Sequence, residues 1–185
     1  RMGTDKALID VDGIPLLRKV YDVAASSAAR VLVVTPWKER YQGILPSNVN
    51  WIEEVPLPDE TKPHGPLVAF SQGLAEMETE WGLLLACDLP RLNVSEIQSW
   101  IEYLPQIKED AIAFLPKDAK GWQCLCGFYR RSSLPSLQAF IQQGGRSFQS
   151  WLETVSVEEI PVLNRTVLFN CNTPEDLERL SEERE

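Results

Sequence analysis

Histidine is almost missing from this 185-residue chain, His64 being the single one. It falls in a proline-rich stretch and reads as a loop residue rather than a catalytic base. Cysteine is scarce too, with only Cys87, Cys124, Cys126 and Cys171. A Cys-x-Cys pair without a nearby histidine is poor zinc spacing, and cysteines in apolar segments behave as small hydrophobes. Positive charge is in deficit: 18 Lys and Arg against 27 Asp and Glu give a formal charge of −9. That balance argues against wrapping nucleic acid or docking on an anionic membrane, since both need a basic face. It leaves room for an anionic small molecule held by a local cluster of cations. No apolar run approaches the length of a membrane span, and the first residues carry no signal-peptide pattern. A cytoplasmic location with reduced, buried thiols is therefore expected. Internal repeats, low-complexity tracts and linkers are absent as well, so one domain over residues 1–185 is expected.

What the chain does contain is an alternation of strand-like and helix-like segments. Val31 to Thr35 is β-branched and uninterrupted, and Val49 to Glu53 is a second short strand. Trp81 to Cys87, Ala111 to Leu115, Gln123 to Tyr129 and Val167 to Asn170 follow as further strands. Leu16, Leu17, Val20, Val23 and Ala24 recur at helical spacing after Pro15. Helices are expected over Leu67 to Met77, from a Ser95 cap to Tyr103, over Leu134 to Gln143 before Gly144-Gly145, and over Ser147 to Val155. Thr173-Pro174-Glu175 opens a terminal one. Six tryptophans, Trp37, Trp51, Trp81, Trp100, Trp122 and Trp151, are expected in core or helix packing. Strands alternating with ten-residue helices predict a three-layer, Rossmann-like α/β fold with a mostly parallel central sheet.

The stretch with most chemical content is Leu83-Leu84-Leu85-Ala86-Cys87-Asp88-Leu89-Pro90. A continuous apolar run closed by an acid reads as a strand buried on both faces, with Asp88 at its carboxyl end. There Asp88 suits a divalent cation carrying phosphate oxygens. It suits a cap on the following turn equally well. The opening "RMGTDK" is a glycine-bearing loop with two cations, Arg1 and Lys6.

Taken together, "RMGTDKAL" and "DGIPLL" resemble the latter part of the signature of MobA-like nucleotidyltransferases, Gly-Gly-x-x-x-Arg-Met-Gly-x-Asp-Lys. "GPLVAFSQGL" at Gly65 to Leu74, "CDLP" at Cys87 to Pro90 and "NCNTPEDL" at Asn170 to Leu177 follow in the family's order. "CGFYRR" and "GGRSFQSWL" are also similar to it. The ordered set resembles the molybdenum cofactor guanylyltransferases. The resemblance implies transfer of GMP from GTP to the terminal phosphate of molybdopterin, with release of pyrophosphate. It implies that Lys6 contacts the nucleotide, that Arg1 and Gly3 assist at the phosphates, and that Asp88 binds Mg²⁺. Gly65 and Pro66 resemble the nucleotide-side loop, with Asp59 the candidate acid for the nucleoside. Arg146, Ser147, Asn170 and Asn172 resemble the molybdopterin side, although Asn172 and Thr173 can equally cap the last helix. Client molybdoenzymes or their chaperones are further implied partners.

Two departures matter. A first strand and the glycine-rich half of the signature are expected ahead of Arg1 in the native protein. Ala69 stands where the family often has a second glycine, a change of little consequence unless the backbone there needs positive φ. Two rivals stay open. Molybdopterin cytidylyltransferases and other nucleotidyltransferases share several motifs, but the cytidylyltransferases tend to carry aspartates where this chain has Asn170 and Asn172. A non-catalytic nucleotide-binding adaptor is the rival of another class.

Overall fold

The computed structural model describes residues 5–57, 65–171 and 173–182. The chain runs from a 3-10 turn at Lys6–Leu8 into a hairpin of β1 (Asp10–Val11) and β2 (Ile14–Pro15). Then come α1 (Leu16–Ser27), β3 (Leu32–Thr35), the one-turn α2 (Lys38–Tyr41) and β4 (Asn50–Glu53). α3 (Pro66–Ala75) leads to β5 (Trp81–Leu85), α4 (Val94–Ile101) and β6 (Ala113–Leu115). A second hairpin, β7 (Lys117–Asp118) and β8 (Gly121–Trp122), precedes β9 (Cys126–Arg130). α5 (Leu134–Gln142), α6 (Phe148–Leu152), β10 (Val157–Glu159) and α7 (Pro174–Glu182) follow.

β10, β6, β9 and β5 hydrogen-bond in that order. β10 is parallel to β6, and β9 is antiparallel to both β6 and β5. Three of these strands therefore share a direction and β9 alone opposes them. β3 and β4 form a separate parallel pair, and among the described residues no ladder joins them to the larger sheet.

Side-chain alternation along β6 and β9 builds the three layers. Ala113, Leu115 and Tyr129 face one core with Leu67, Val68, Phe70 and Leu74 of α3, Leu137 and Ile141 of α5, and Trp151 of α6. Phe114, Cys126 and Phe128 face the other, with Val20 of α1, Ile97 and Trp100 of α4, and Leu89 and Leu92. Gly127 sits on the first face with φ 151, and a Cβ there would lie 2.8 Å from the Phe114 carbonyl oxygen. Only glycine lets β9 lie this close to β6. A third, smaller cluster of Val11, Leu16, Cys171 and Leu180 fastens α7 to the first hairpin. It brings the two ends of the described chain together under the tip of β5.

The α/β architecture and most elements agree with expectation, and the differences have local causes. Asn93, not Ser95, caps α4: its Oδ1 accepts from the Glu96 amide at 3.0 Å and from the Ser95 hydroxyl at 2.6 Å. Val167 to Asn170 is not a strand. Asn164 Oδ1 accepts from the Thr166 amide at 3.1 Å and starts a 3-10 turn over Arg165–Leu168 instead. β10 was unforeseen because its two glutamates hide the strand pattern. Asp12-Gly13 forms the expected turn, both residues at positive φ (61 and 78) as a tight hairpin loop demands. Trp100 and Trp151 are core residues as expected, but Trp37 is 48% exposed with the Arg40 guanidinium 5.3 Å from its ring centre.

Candidate active site

Three distant segments meet at the carboxyl end of β5. Asp88 lies just past the strand, its carbonyl accepting from the Cys171 amide at 2.9 Å. Lys6, at the start of the chain, places its Nζ 3.8 Å from Asp88 Oδ2. The other carboxylate oxygen, Oδ1, is buried with no hydrogen-bond partner. Burial raises the Asp88 pKa, and the nearby Lys6 charge offsets this only in part. A half-buried acid with one unsatisfied oxygen costs stability, which makes Asp88 a candidate binding group. The cap reading of Asp88 finds no support, since neither carboxylate oxygen serves a following helix: α4 is capped by Asn93.

Lys6 is held by its neighbour Asp5, which sequence reasoning passed over. Asp5 Oδ1 accepts from the Ala7 amide at 3.1 Å and so starts the 3-10 turn. Its Oδ2 accepts from Arg40 at 2.9 Å and from the Tyr41 hydroxyl at 2.8 Å. Burial would raise the Asp5 pKa, but hydrogen bonds from Arg40, Tyr41 and the Ala7 amide outweigh it and the net shift is downward. Tyr41 in turn is pushed up to about 12, by burial first and by Asp5 second, and stays a donor. The signal for this network was the pairing of Asp5 with "KERY", but no sequence rule joins residues so far apart.

Cys87, beside Asp88, is not a nucleophile. Burial, then the Asp88 charge, pushes its thiol up to about 11, far from the thiolate that reactivity requires. The described cysteines are all free.

Gly65 precedes α3 with φ 90, a conformation glycine adopts without strain, and Pro66 holds the first helical position. No side chain caps this helix and its first turn holds no acid. Ala69 is helical and needs no positive φ. Asn170 lines a cavity of about 390 Å³ together with Arg91, Asp118, Gln123, Arg165 and Phe169. Arg146 and Ser147 do not line it. The Arg146 guanidinium donates to the carbonyls of Ile141 and Gly145 at the end of α5, and Ser147 caps α6 by accepting from the Ser150 amide. Thr173 and Asp176 cap α7 reciprocally. Arg1, Gly3, Asp59, His64 and Asn172 lie outside the described residues.

A family model, the MobA-like NTP transferase domain, matches residues 1–157. The chain belongs to that family. It is 53% identical over 177 residues to a probable molybdenum cofactor guanylyltransferase of Nostoc sp., covering 96% of this chain and 83% of that protein. It is 42% identical to a protein of the same description from Synechococcus elongatus, covering 97% of this chain and 91% of the relative. Among solved structures it is similar to molybdopterin-guanine dinucleotide biosynthesis protein A of Archaeoglobus fulgidus, with a TM-score of 0.76 at 20% identity, over 98% of this chain and 91% of that one. A 2-C-methyl-D-erythritol 4-phosphate cytidylyltransferase of Thermus thermophilus is also similar, with a TM-score of 0.69 at 15% identity, over 97% and 93%. At those identities the structures speak for the fold, which is that of nucleotidyltransferases. As a MobA-like NTP transferase, the chain is an enzyme, and the strand tip where Lys6 and Asp88 meet is its candidate site. No described helix is long and apolar enough to cross a membrane.

Proposed function

We propose that the chain transfers GMP from GTP to the terminal phosphate of molybdopterin, forming a guanine dinucleotide cofactor. The observation that carries this reading is the Lys6–Asp88 pair: a cation 3.8 Å from a half-buried acid, one of whose oxygens is buried and has no partner. The choice of GMP is supported by the relatives' descriptions and by Asn170 on the cavity wall. Lys6 neutralises the nucleotide phosphates, helped on the expected GTP side by Arg1, Gly3, Asp59, Gly65 and Pro66. An oxygen of the acceptor phosphate then bonds to the α-phosphorus while the bond to the β-phosphate oxygen breaks, and pyrophosphate leaves. Little covalent chemistry falls to the protein, so the rate comes from alignment and charge neutralisation.

Mg²⁺ fits this site. It takes one or two carboxylates from a protein and completes its shell with water and phosphate oxygens. Among the described residues no three His, Cys, Asp or Glu side chains could together hold a metal. A single buried carboxylate with a spare oxygen matches the Mg²⁺–nucleotide mode, and Asp88 would be the ligand. Bound there, the ion would offset charge on the phosphate oxygens.

The deciding experiment incubates the protein with molybdopterin, Mg²⁺ and either GTP or CTP. Transfer from GTP is expected, and transfer from CTP alone would overturn the choice of base. Calorimetry with GTP tests the adaptor alternative, which requires binding without turnover. A further expectation concerns Asp5. Asp5→Ala frees the turn that presents Lys6, so kcat/KM for GTP falls about tenfold, or ~1.4 kcal/mol. Tyr41→Phe, which removes one of the donors to Asp5, gives a smaller fall in the same steady-state assay.

A further inference from the structure

The tip of β3 carries a cation outside the Lys6–Asp88 pair, Arg40. Thr35 is buried at the end of the strand, and its Oγ1 accepts from the Trp37 amide at 3.1 Å. That bond turns the chain into α2, and the Arg40 amide closes the turn on the Trp37 carbonyl at 3.0 Å. Residues three apart on a helical turn are neighbours, which brings the Arg40 guanidinium over the Trp37 ring. Both side chains are half exposed, so the ring serves less as core than as a platform that holds the guanidinium in place. From it, Arg40 Nη1 reaches Asp5 Oδ2 at 2.9 Å.

Asp5 is the residue beside Lys6, and its charge matters to anything Lys6 binds. Burial would raise its pKa, but hydrogen bonds from Arg40, Tyr41 and the Ala7 amide bring the net shift down, so Asp5 is an anion at neutral pH. Its side chain is only 22% exposed, which leaves its field partly unscreened. That field reaches the strand tip: the Cys87 thiol is pushed up by burial first, then by Asp88, and more weakly by Asp5. An uncompensated carboxylate there would repel a triphosphate and would offer Lys6 a second partner in place of Asp88. Tyr41 gives Asp5 a hydrogen bond but no charge. With Arg40, the group of Asp5, Lys6 and Arg40 is net positive; without it the group is neutral.

We propose that Arg40, seated on Trp37, is a positioning residue that neutralises Asp5, so that the turn carrying Lys6 meets the nucleotide phosphates with net positive charge. The inference rests on the proposed binding of a nucleoside triphosphate at Lys6. It concerns how strongly the phosphates are held, not which base is chosen.

The test measures the affinity of GTP, GDP and GMP by calorimetry, with Mg²⁺, for the wild type, Arg40→Ala, Asp5→Asn and the double variant. Asp5→Asn, unlike Asp5→Ala, keeps an oxygen for the Ala7 amide and so keeps the turn. Arg40→Ala is expected to weaken GTP about tenfold, GDP about threefold and GMP by less than about twofold, since repulsion grows with phosphate charge. Adding Asp5→Asn to Arg40→Ala should bring GTP affinity back to within about twofold of wild type, the sign of a coupled pair. Arg40→Lys keeps the charge and should retain most of the affinity. A loss that is equal for the three nucleotides, or that Asp5→Asn does not repair, overturns the proposal and leaves Arg40 a structural residue of α2. Preference for CTP over GTP counts against the proposed reaction alone, because the same series run with CTP, CDP and CMP then decides the role of Arg40.

Discussion

Asp88→Asn is expected to lower GMP transfer about a thousandfold and, at the same time, to make the protein more stable. The two effects come from one property. In the fold Asp88 carries a charge that burial disfavours, one oxygen has no partner, and Lys6 at 3.8 Å compensates only partly. An amide of the same shape removes the buried charge, and a group of this kind costs about 1–3 kcal/mol when it is left unsatisfied. Lys6 loses the Asp88 contact but is partly exposed, so solvent takes over much of that interaction. A rise in melting temperature of roughly 2–6 °C follows for a chain of this length. If Asp88 holds the proposed Mg²⁺, an amide would hold it poorly, and loss of one such electrostatic contact typically costs about 10²–10³ in rate. Calorimetry should show Mg²⁺ ceasing to strengthen GTP binding. A variant that turns over near the wild-type rate, or that melts well below it, would sink the metal role. The combination of a dead enzyme and a firmer fold separates a binding acid from a structural one, since a cap or salt-bridge residue would lose both.

The reason the position of Asp88 was legible in the sequence while the contacts of Asp5 were not is physical. A run of five apolar residues ending in an acid has a local pattern that puts Asp88 at a strand end, and the ordered motifs around it, not the strand, favoured a metal over a cap there. Asp5 bonds to Arg40 and Tyr41, contacts that exist only once α2 has packed. Helix boundaries set by proline and glycine were readable for the same local reason, as at Pro66 and Gly144. The expected strand at Val167 to Asn170 failed because apolar content alone does not distinguish extended chain from a short 3-10 turn. There the Asn164 side chain decided the outcome. Arg146 has local contacts that the sequence did not show. It follows two glycines, and its Nη1 donates to the carbonyls of Ile141 and Gly145 at the end of α5.

Trp151→Ala is expected to cost about 3–5 kcal/mol, enough to take much of the stability of a domain that holds only ~5–15 kcal/mol in all. Trp151 is fully buried and stacks on Tyr129, with ring centres 6.0 Å apart and planes 18° apart. Phe70 and Phe148 close the cluster at 6.4 Å each. Its indole N–H donates to the Ser136 hydroxyl at 3.4 Å, so truncation leaves a hydroxyl short of a donor as well as a cavity. The loss cannot be absorbed by sliding one helix. The rings come from α3, β9 and α6, and β9 is held against β6 by the close approach at Gly127. A rigid wall keeps its cavity, and a kept cavity is what makes such a substitution expensive. Denaturant titration should show the midpoint shifted with the slope little changed. The Lys6–Asp88 pair lies on elements that pack mainly against the other face, so the folded fraction at low temperature should still bind GTP near the wild-type affinity. A loss of GTP binding in that folded fraction would mean that the aromatic layer positions the site as well as supporting it.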